Sequence, residues 1–192
     1  MPHADVEGRT GSARPMDRRQ SFRYHPFYCE ENVWWLCNEA VSRAATAYAV
    51  FVVNAFGHCP FAGQRAVPEG RLVWWDYHVV VLDADNRIWD LDTRLGLPLP
   101  ARDWLAGSFP FLDRLPAELM PRFRLIPCAD YHRDFASDRS HMREPDGGWH
   151  HPPPPWPPIG DGMNLHRYCS AINAEPGELL DSGSLRRRLR LE

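Results

Sequence analysis

Hydrophobic and polar residues follow one another along the chain in patterns that predict a mixed α/β fold. Apolar positions with helical spacing begin at Cys29 and predict a helix that runs to about Ala45. Glu30 and Glu31 lie in its first turn, where acidic side chains favour a helix start. The continuous apolar run Tyr48 to Asn54 then predicts a buried strand, which a loop containing Gly and Pro follows.

The segment Val73 to Thr93 has the pattern of a β-hairpin, because two short runs rich in Val, Ile, Trp and Tyr flank a polar turn. If residues 83–85 form a three-residue loop, His78 lies directly opposite Asp90, with Cβ atoms about 4.5 to 5.5 Å apart. A four-residue loop pairs His78 with Leu91 instead. A carboxylate that holds an imidazole is the orienting half of a catalytic triad, so the register of this hairpin matters.

Beyond the hairpin the pattern is weaker. Ala101 to Leu105 and Pro116 to Arg122 predict short helices, and Phe123 to Ile126 predicts a further strand. After Cys128 we expect irregular structure. The run His151 to Pro158 has few backbone donors and predicts an extended polyproline II segment.

The chain of 192 residues is long enough to bury one hydrophobic core, and we expect one domain over residues 21–180. Residues 1–20 are polar and rich in Arg, Gly and Pro, which predicts disorder. Residues 181–192 predict a short, basic, amphipathic tail in solvent. We see no internal repeat.

Composition narrows the class of protein. The formal net charge of -3 gives no overall signature of nucleic-acid binding. Every basic residue is Arg, which excludes mechanisms that depend on Lys, such as Schiff-base catalysis. No apolar run approaches the roughly 18 residues of a membrane span, and the N-terminus lacks the apolar core of a signal peptide. The five cysteines lack disulfide-framework spacing, so we expect free thiols and a cytoplasmic location.

Cys29 is the best candidate nucleophile, because the N-terminus of a helix and an imidazolium partner both lower a thiol pKa. The backbone N–H groups there can also line an oxyanion hole. Glu30 and Glu31 act against the thiolate. Alternatively, Cys29 is a small buried hydrophobic residue and His78 is a structural histidine, and pattern alone leaves both interpretations open.

A metal site is the competing use of these residue types. None of the candidate ligand pairs has the repeated C-x₂-C arrangement typical of structural zinc, so we expect no metal. The pairs are His58 with Cys59, Cys128 with His132, and His166 with Cys169.

Six short motifs, in order between about Tyr24 and Tyr168, resemble those of the protein N-terminal glutamine amidohydrolase family. They are YCEEN (Tyr28–Asn32), WDYHVV (Trp75–Val80), DLDT (Asp90–Thr93), FASDRSHM (Phe135–Met142), PPPPWPPI (Pro152–Ile159) and MNL (Met163–Leu165). The segment GHCPFAGQRA (57–66) and the region after Tyr168 match poorly.

The resemblance implies a monomeric α-β-α sandwich with a mainly antiparallel sheet, related to transglutaminases and papain-like proteases. Enzymes of this family hydrolyse the side-chain amide of N-terminal Gln in proteins or peptides, giving N-terminal Glu and ammonia. The family's Cys, His and Asp correspond to Cys29, His78 and Asp90, which would act through a thioester. Such a mechanism requires no metal or organic cofactor, and the charge and the apolar runs described above predict no nucleic-acid or membrane partner.

Recognition of a terminal residue requires a group that pairs with the free α-ammonium. The predicted register places Asp76 opposite Asp92, and two carboxylates in one row repel unless a cation lies beside them. Arg139 or the substrate's α-ammonium can be that cation. Glu31 and Asp138 are rival amine binders, although a structural role is favoured for Asp92 and Asp138.

Two other functions are compatible with the sequence. The first is a thiol peptidase or a transglutaminase-like enzyme that acts on internal Gln. The second is a non-enzymatic module that presents its Pro-rich segment to a partner domain. The family resemblance favours a rigid strap packed on the domain over an exposed ligand.

Overall fold

The computed structural model describes residues 21–38, 47–173 and 175–191. The predicted disorder of residues 1–20 and the predicted extension of the first helix to Ala45 lie outside this range. Within it, no helix combines the length and apolar character that crossing a bilayer would require.

A six-stranded antiparallel sheet forms the centre of the fold, in the order β6-β5-β4-β1-β7-β8. Its strands are β1 Tyr48–Val53, β4 His78–Leu82, β5 Arg87–Trp89, β6 Leu99–Pro100, β7 Arg122–Pro127 and β8 Glu178–Asp181. A second, two-stranded sheet pairs β2 (Cys59–Phe61) with β3 (Val73–Trp75). The β1 sequence, YAVFVV, is apolar at every position, as expected for a strand paired on both edges and covered on both faces.

Helices cover both faces of the large sheet: α1 Cys29–Asn38, α2 Ala101–Ser108, α3 Cys128–Asp134, α4 Leu165–Cys169 and α5 Ser182–Arg188. Successive β1 side chains point to opposite faces. Phe51 packs in a core cluster with residues of α1, α3 and α4. Val50 and Val52 pack in a second cluster with residues of α2 and α5. The described fold is therefore a mixed α/β structure of three layers with an antiparallel sheet, as the sequence predicted.

Several predicted elements are confirmed at their expected positions, namely the helix start at Cys29, the strand β1, the helix α2 and the strand β7. The predicted helix at Pro116 to Arg122 is wrong. A single 3₁₀ turn at Ala117–Leu119 stands there, because β7 already begins at Arg122 and removes the residues that would complete a helix. The prediction of irregular structure after Cys128 is confirmed over residues 135–164, which lie in no α-helix or strand. It is wrong where α3, α4, β8 and α5 form.

The segment predicted as a solvated basic tail is part of the folded domain. Asp181 ends β8 and caps α5, because its side chain accepts a hydrogen bond from the Ser184 N–H. Leu185 and Leu189 are buried in the second core cluster. The segment is basic and amphipathic as predicted, but its apolar side packs in the hydrophobic core and is not in solvent.

The hairpin forms with a register displaced by two residues from the predicted one. Leu82 pairs with Ile88, and residues 84–86 make the loop. The Asp83 carboxylate accepts hydrogen bonds from the backbone N–H groups of Asp85 and Arg87, which fixes Asp83 as the residue before the loop. A displacement by two leaves every side chain on its predicted face, whereas a displacement by one would have reversed them all.

Candidate active site

His78 and Asp90 form a buried pair at one end of the hairpin. His78 is the first residue of β4, and Asp90 directly follows β5. The His78 Nε2 lies 2.9 Å from the Asp90 Oδ1, and the two side chains are 1% and 0% exposed. The imidazole stacks on Trp75 with 5.8 Å between ring centroids and meets Phe61 edge-on at 5.2 Å. The ring is therefore fixed on its faces as well as at Nε2.

The Asp90 carboxylate is surrounded by hydrogen-bond donors. Its Oδ2 accepts from the Gln64 Nε2 at 2.9 Å and the Trp104 Nε1 at 3.0 Å, and its Oδ1 also accepts from the Asp92 N–H at 3.0 Å. Burial alone would raise the pKa of Asp90. The adjacent His78 and the Trp104 and Gln64 side chains outweigh burial and hold that pKa below its usual range.

An ionised Asp90 decides which nitrogen of His78 carries the proton. A carboxylate without a proton only accepts, so the Nε2 must donate to it. In the neutral imidazole the Nδ1 is then the basic nitrogen, and it is buried without a hydrogen-bond partner in the described structure. Burial lowers the pKa of His78. The negative charges of Asp90, Asp92 and Glu30 together have the larger effect, so the pKa lies above its ordinary value.

Cys29 is the first residue of α1, and it lines the same cavity as His78, with a volume of about 650 Å³. A hydrogen bond with the Val79 backbone lowers the pKa of the thiol. Burial, together with the negative charges of Glu30 and Asp92, has the larger effect and raises that pKa well above its ordinary value. The net direction is therefore opposite to the lowering expected at a helix start, and these surroundings favour the neutral thiol.

The cavity wall combines aromatic, imidazole and sulfur-containing side chains around Cys29. Trp74 and Trp75 come from β3, and Tyr77 and Asp76 from the link to β4. The other lining residues are Phe27, Asp92, His141, Met142, His150, His151, Met163, Leu165, His166 and Cys169. The lining is mostly apolar, with a few polar groups close to the thiol, which is typical of a small-molecule or side-chain binding site.

The predicted row of Asp76 and Asp92 is wrong. The chain leaves β3 before β4 begins, and β3 pairs with β2, so the hairpin ladder does not extend to Asp76. The Asp76 side chain is 83% exposed, at the cavity edge, and lies 3.8 Å from His58. Asp92 is buried and faces the cavity.

Glu31 and Asp138, the other predicted amine binders, are both engaged in contacts within the protein. Glu31 is fully buried, and its two oxygens accept from the Arg139 Nε and Nη2 at 2.7 and 2.8 Å. Trp156 donates a third hydrogen bond to it at 2.6 Å. Asp138 is exposed and accepts from the Ser140 N–H. Arg139 therefore neutralises Glu31, and its predicted place beside Asp76 and Asp92 is wrong.

Arg139 also joins the Pro-rich run to the helix that carries Cys29. Its guanidinium donates to the carbonyl oxygens of Pro154, Trp156 and Pro157. Tyr28, next to Cys29, donates to the carbonyl of His151. The run is packed as a strap on the domain, as the sequence predicted.

Replacing Arg139 with Ala is expected to lower the free energy of unfolding by about 3–5 kcal/mol, because it leaves the Glu31 carboxylate buried without its cation. Urea denaturation followed by tryptophan fluorescence measures the change. Arg133→Ala is the matched control, since Arg133 pairs with Asp130 and Asp134 at the surface and should leave the midpoint unchanged. Equal shifts in the two variants would contradict the assigned role of Arg139.

One group of potential metal ligands occurs in the described residues. Ligand atoms of His78, Asp90 and Asp92 lie within 4.8 Å of one another. The Asp90 oxygens and the His78 Nε2 already share hydrogen bonds, so these atoms are not directed at a common point. The cysteine–histidine pairs considered from sequence do not form such a group in this part of the chain.

The sequence did not predict the hydrogen bonds from Gln64 and Trp104 that hold Asp90, nor the burial of Glu30 beside Cys29. Gln64 lies in the segment that matched the family motifs poorly. Trp104 lies in a short helix whose sequence does not indicate a hydrogen bond to a distant carboxylate. The sequence predicts that Glu30 lies in the first helical turn and acts against the Cys29 thiolate, but not that it is buried. It is fully buried, and its Oε2 lies 3.7 Å from the Cys29 Sγ.

A buried histidine oriented by an ionised aspartate, beside a cavity that holds a helix-start cysteine, is an arrangement typical of thiol hydrolases. Comparison with known proteins is more specific. The family model described as N-terminal glutamine amidase matches residues 24–189. The chain belongs to the N-terminal glutamine amidase family.

Curated relatives carry the name protein N-terminal glutamine amidohydrolase. The human protein is 39% identical over 163 residues, which cover 79% of this chain and 80% of the relative. The Arabidopsis thaliana protein is 34% identical over 193 residues, covering 92% and 87%. The Drosophila pseudoobscura pseudoobscura protein is 42% identical over 168 residues, covering 80% and 82%.

Proposed function

We propose that this protein hydrolyses the side-chain amide of an N-terminal Gln in proteins or peptides, giving N-terminal Glu and ammonia, with Cys29 as nucleophile. Family membership supports the reaction. The observation that carries the assignment of residues is the buried His78–Asp90 pair, 2.9 Å apart, at the cavity that Cys29 also lines.

The proposed mechanism begins with the neutral thiol. The His78 Nδ1 takes the proton from the Cys29 Sγ as the sulfur attacks the Gln side-chain carbonyl carbon. The resulting imidazolium gives its proton to the departing nitrogen, and ammonia leaves. The same imidazole then activates a water molecule that hydrolyses the γ-glutamyl thioester and restores the thiol.

Asp90 has a distinct part in this mechanism. It holds the imidazole in the tautomer that leaves Nδ1 free, and it stabilises the imidazolium without taking a proton. Its lowered pKa and its hydrogen bonds with Gln64 and Trp104 support that part. The mechanism requires no metal and no organic cofactor.

We also infer kinship of this fold with transglutaminases and papain-like proteases. A helix that begins at the cysteine and packs on an antiparallel sheet bearing the histidine and aspartate supports it. We infer a monomeric, cytoplasmic enzyme without nucleic-acid or membrane partners. Five cysteines without disulfides support a reducing compartment.

Three peptides of otherwise identical sequence test the reaction: H-Gln-peptide, N-acetyl-Gln-peptide and H-Asn-peptide. We expect ammonia release from the first only, measured by a coupled glutamate dehydrogenase assay. Asn is expected to fail because its shorter side chain places the carbonyl away from the thiol, and such misplacement reduces rate steeply. Comparable release from the acetylated peptide would instead favour an enzyme that acts on internal Gln.

A further inference from the structure

Asp92 is a buried carboxylate that the proposed mechanism does not use. It is 5% exposed and lines the cavity together with Cys29 and His78. One of its oxygens lies within 4.8 Å of a ring nitrogen of His78. It therefore stands beside the place where a substrate amide would react.

The Asp92 carboxylate is only partly satisfied by the protein. The Tyr24 hydroxyl donates to its Oδ1 at 2.7 Å, and no other described side chain donates to either oxygen. Arg139, the guanidinium expected nearby from sequence, is bonded to Glu31. Burial raises the pKa of Asp92 to about 6 despite the nearby His78, so the group is ionised but poorly stabilised at neutral pH.

A second buried carboxylate increases the negative potential of this region. Glu30 is fully buried, and its Oε1 accepts no hydrogen bond from the described residues. The His141 Nε2 is 3.4 Å away without forming one. The charges of Glu30 and Asp92 both raise the pKa of the Cys29 thiol. A cation bound here would offset two unfavourable carboxylates and would favour the thiolate.

We propose that Asp92 binds the α-ammonium of the substrate's N-terminal Gln and thereby determines that only a terminal Gln is hydrolysed. This inference rests on the proposed function and names the recognition group of the same site. In an extended Gln side chain the α-nitrogen lies about 5 Å from the amide carbon, from standard bond lengths. An oxygen of Asp92 lies within 4.8 Å of a His78 ring nitrogen, so an ammonium bound at Asp92 leaves the amide group within reach of His78. Cys29 lines the same cavity.

Asp92 fits this role better than the carboxylates considered from sequence. Both oxygens of Glu31 are bonded to Arg139, and Asp138 does not line the cavity. Asp76 is exposed, where water screens its charge and weakens an ion pair. Asp92 combines burial with a free oxygen that faces the cavity, and an ion pair with a desolvated carboxylate is the stronger one.

The binding of the ammonium also explains why a free N-terminal Gln would react faster than an acylated one. An acylated N-terminus brings no charge to Asp92, so the pKa of Cys29 stays high and attack on the carbonyl is slow. A free N-terminus removes the penalty that Asp92 places on the thiolate. Recognition of the terminus and ionisation of the nucleophile are then one event.

The test compares two substrates that differ only at the α-position: H-Gln-peptide and its des-amino analogue, 4-carbamoylbutanoyl-peptide. We expect the wild-type protein to favour H-Gln-peptide in kcat/KM. In Asp92→Asn, which keeps the size and the bond from Tyr24, kcat/KM for H-Gln-peptide should fall about 10²-fold. The value for the des-amino peptide should not fall and should rise if anything, because the variant removes the charge that raises the pKa of Cys29. The ratio of the two values therefore collapses. Asp161→Asn, a surface change of equal charge, is the control.

Proportional losses on both substrates in Asp92→Asn would overturn the inference, because Asp92 would then act on His78 and not on the ammonium. An unchanged ratio with full activity would overturn it as well. Asp92→Ser, checked with Asp92→Asn by circular dichroism and thermal unfolding, provides a second variant if the amide disturbs folding. A wild-type protein that releases no ammonia from H-Gln-peptide would instead refute the proposed function, which separates the two failures.

Discussion

Replacing Cys29 with Ala is expected to reduce ammonia release from H-Gln-peptide by at least about 10⁴-fold, since the covalent route is lost. The fold should be preserved, because the change removes a single sulfur atom from a half-buried side chain at the start of α1, and Ala favours a helix. Steady-state ammonia assays with circular dichroism as the folding check measure both. Mass spectrometry of the wild-type protein during turnover should detect the γ-glutamyl thioester, and Cys29→Ala should not form it.

Cys169→Ala is the matched control for this experiment. Cys169 is also half-buried and lines the same cavity, but it lies at the end of α4 and has no oriented histidine assigned to it. Its variant is expected to stay close to wild-type activity. Substantial activity in Cys29→Ala would contradict the assignment of Cys29 as nucleophile. Loss of activity in Cys169→Ala alone would contradict it as well.

Asp90→Asn is expected to lower kcat by about 10³–10⁴-fold, because an amide at this position no longer fixes the His78 tautomer. Stability should fall too, by about 1–3 kcal/mol, because an amide has one acceptor oxygen and cannot accept the hydrogen bonds that both carboxylate oxygens accept. Kinetics and urea denaturation of the same preparation separate the two effects.

Asp83→Asn distinguishes loss of function from loss of stability. Asp83 is likewise buried and accepts hydrogen bonds from Trp89 and Arg87, but it lies at the hairpin loop, away from the cavity. We expect a similar loss of stability with kcat nearly unchanged. A parallel loss of kcat in both variants would show that Asp90 acts only through the fold.

The pKa shifts of the pair give this prediction a direction in pH. The lowered pKa of Asp90 stabilises the folded state above the carboxyl's ordinary pKa, and this contribution is lost as pH falls through the folded value. The raised pKa of His78 stabilises the folded state below the ordinary imidazole pKa, and this contribution is lost as pH rises through the folded value. Removing the Asp90 charge lowers the pKa of His78, so the acid limb of the rate profile in Asp90→Asn should move to lower pH.

Local pattern was sufficient for the elements that carry the proposed triad. The α1 start at Cys29 follows from acidic residues before a helical apolar repeat, and β1 follows from an unbroken apolar run. The hairpin was placed with the wrong register, yet His78 and Asp90 were still brought together, because an error of two residues preserves the face. The sequence thus predicted the pairing of side chains better than the pairing of backbones.

Contacts between distant segments were beyond the reach of local pattern. Glu31 and Arg139 are 108 residues apart, and nothing near either residue indicates the other. Gln64 reaches Asp90 from a loop, and Trp104 reaches it from a helix on the other face of the sheet. In α5 the run of Arg residues concealed Leu185 and Leu189, whose burial depends on the core they meet.

The same negative surroundings that keep Cys29 protonated affect its chemical durability. Peroxides and electrophilic reagents attack thiolates, and a thiol with a high pKa reacts with them slowly. The raised pKa that Glu30 and Asp92 give Cys29, together with its burial, would therefore shield the proposed nucleophile from sulfenic acid formation between turnovers. On the proposed mechanism the reactive thiolate forms only while a substrate occupies the cavity, when the reacting carbonyl already covers the sulfur.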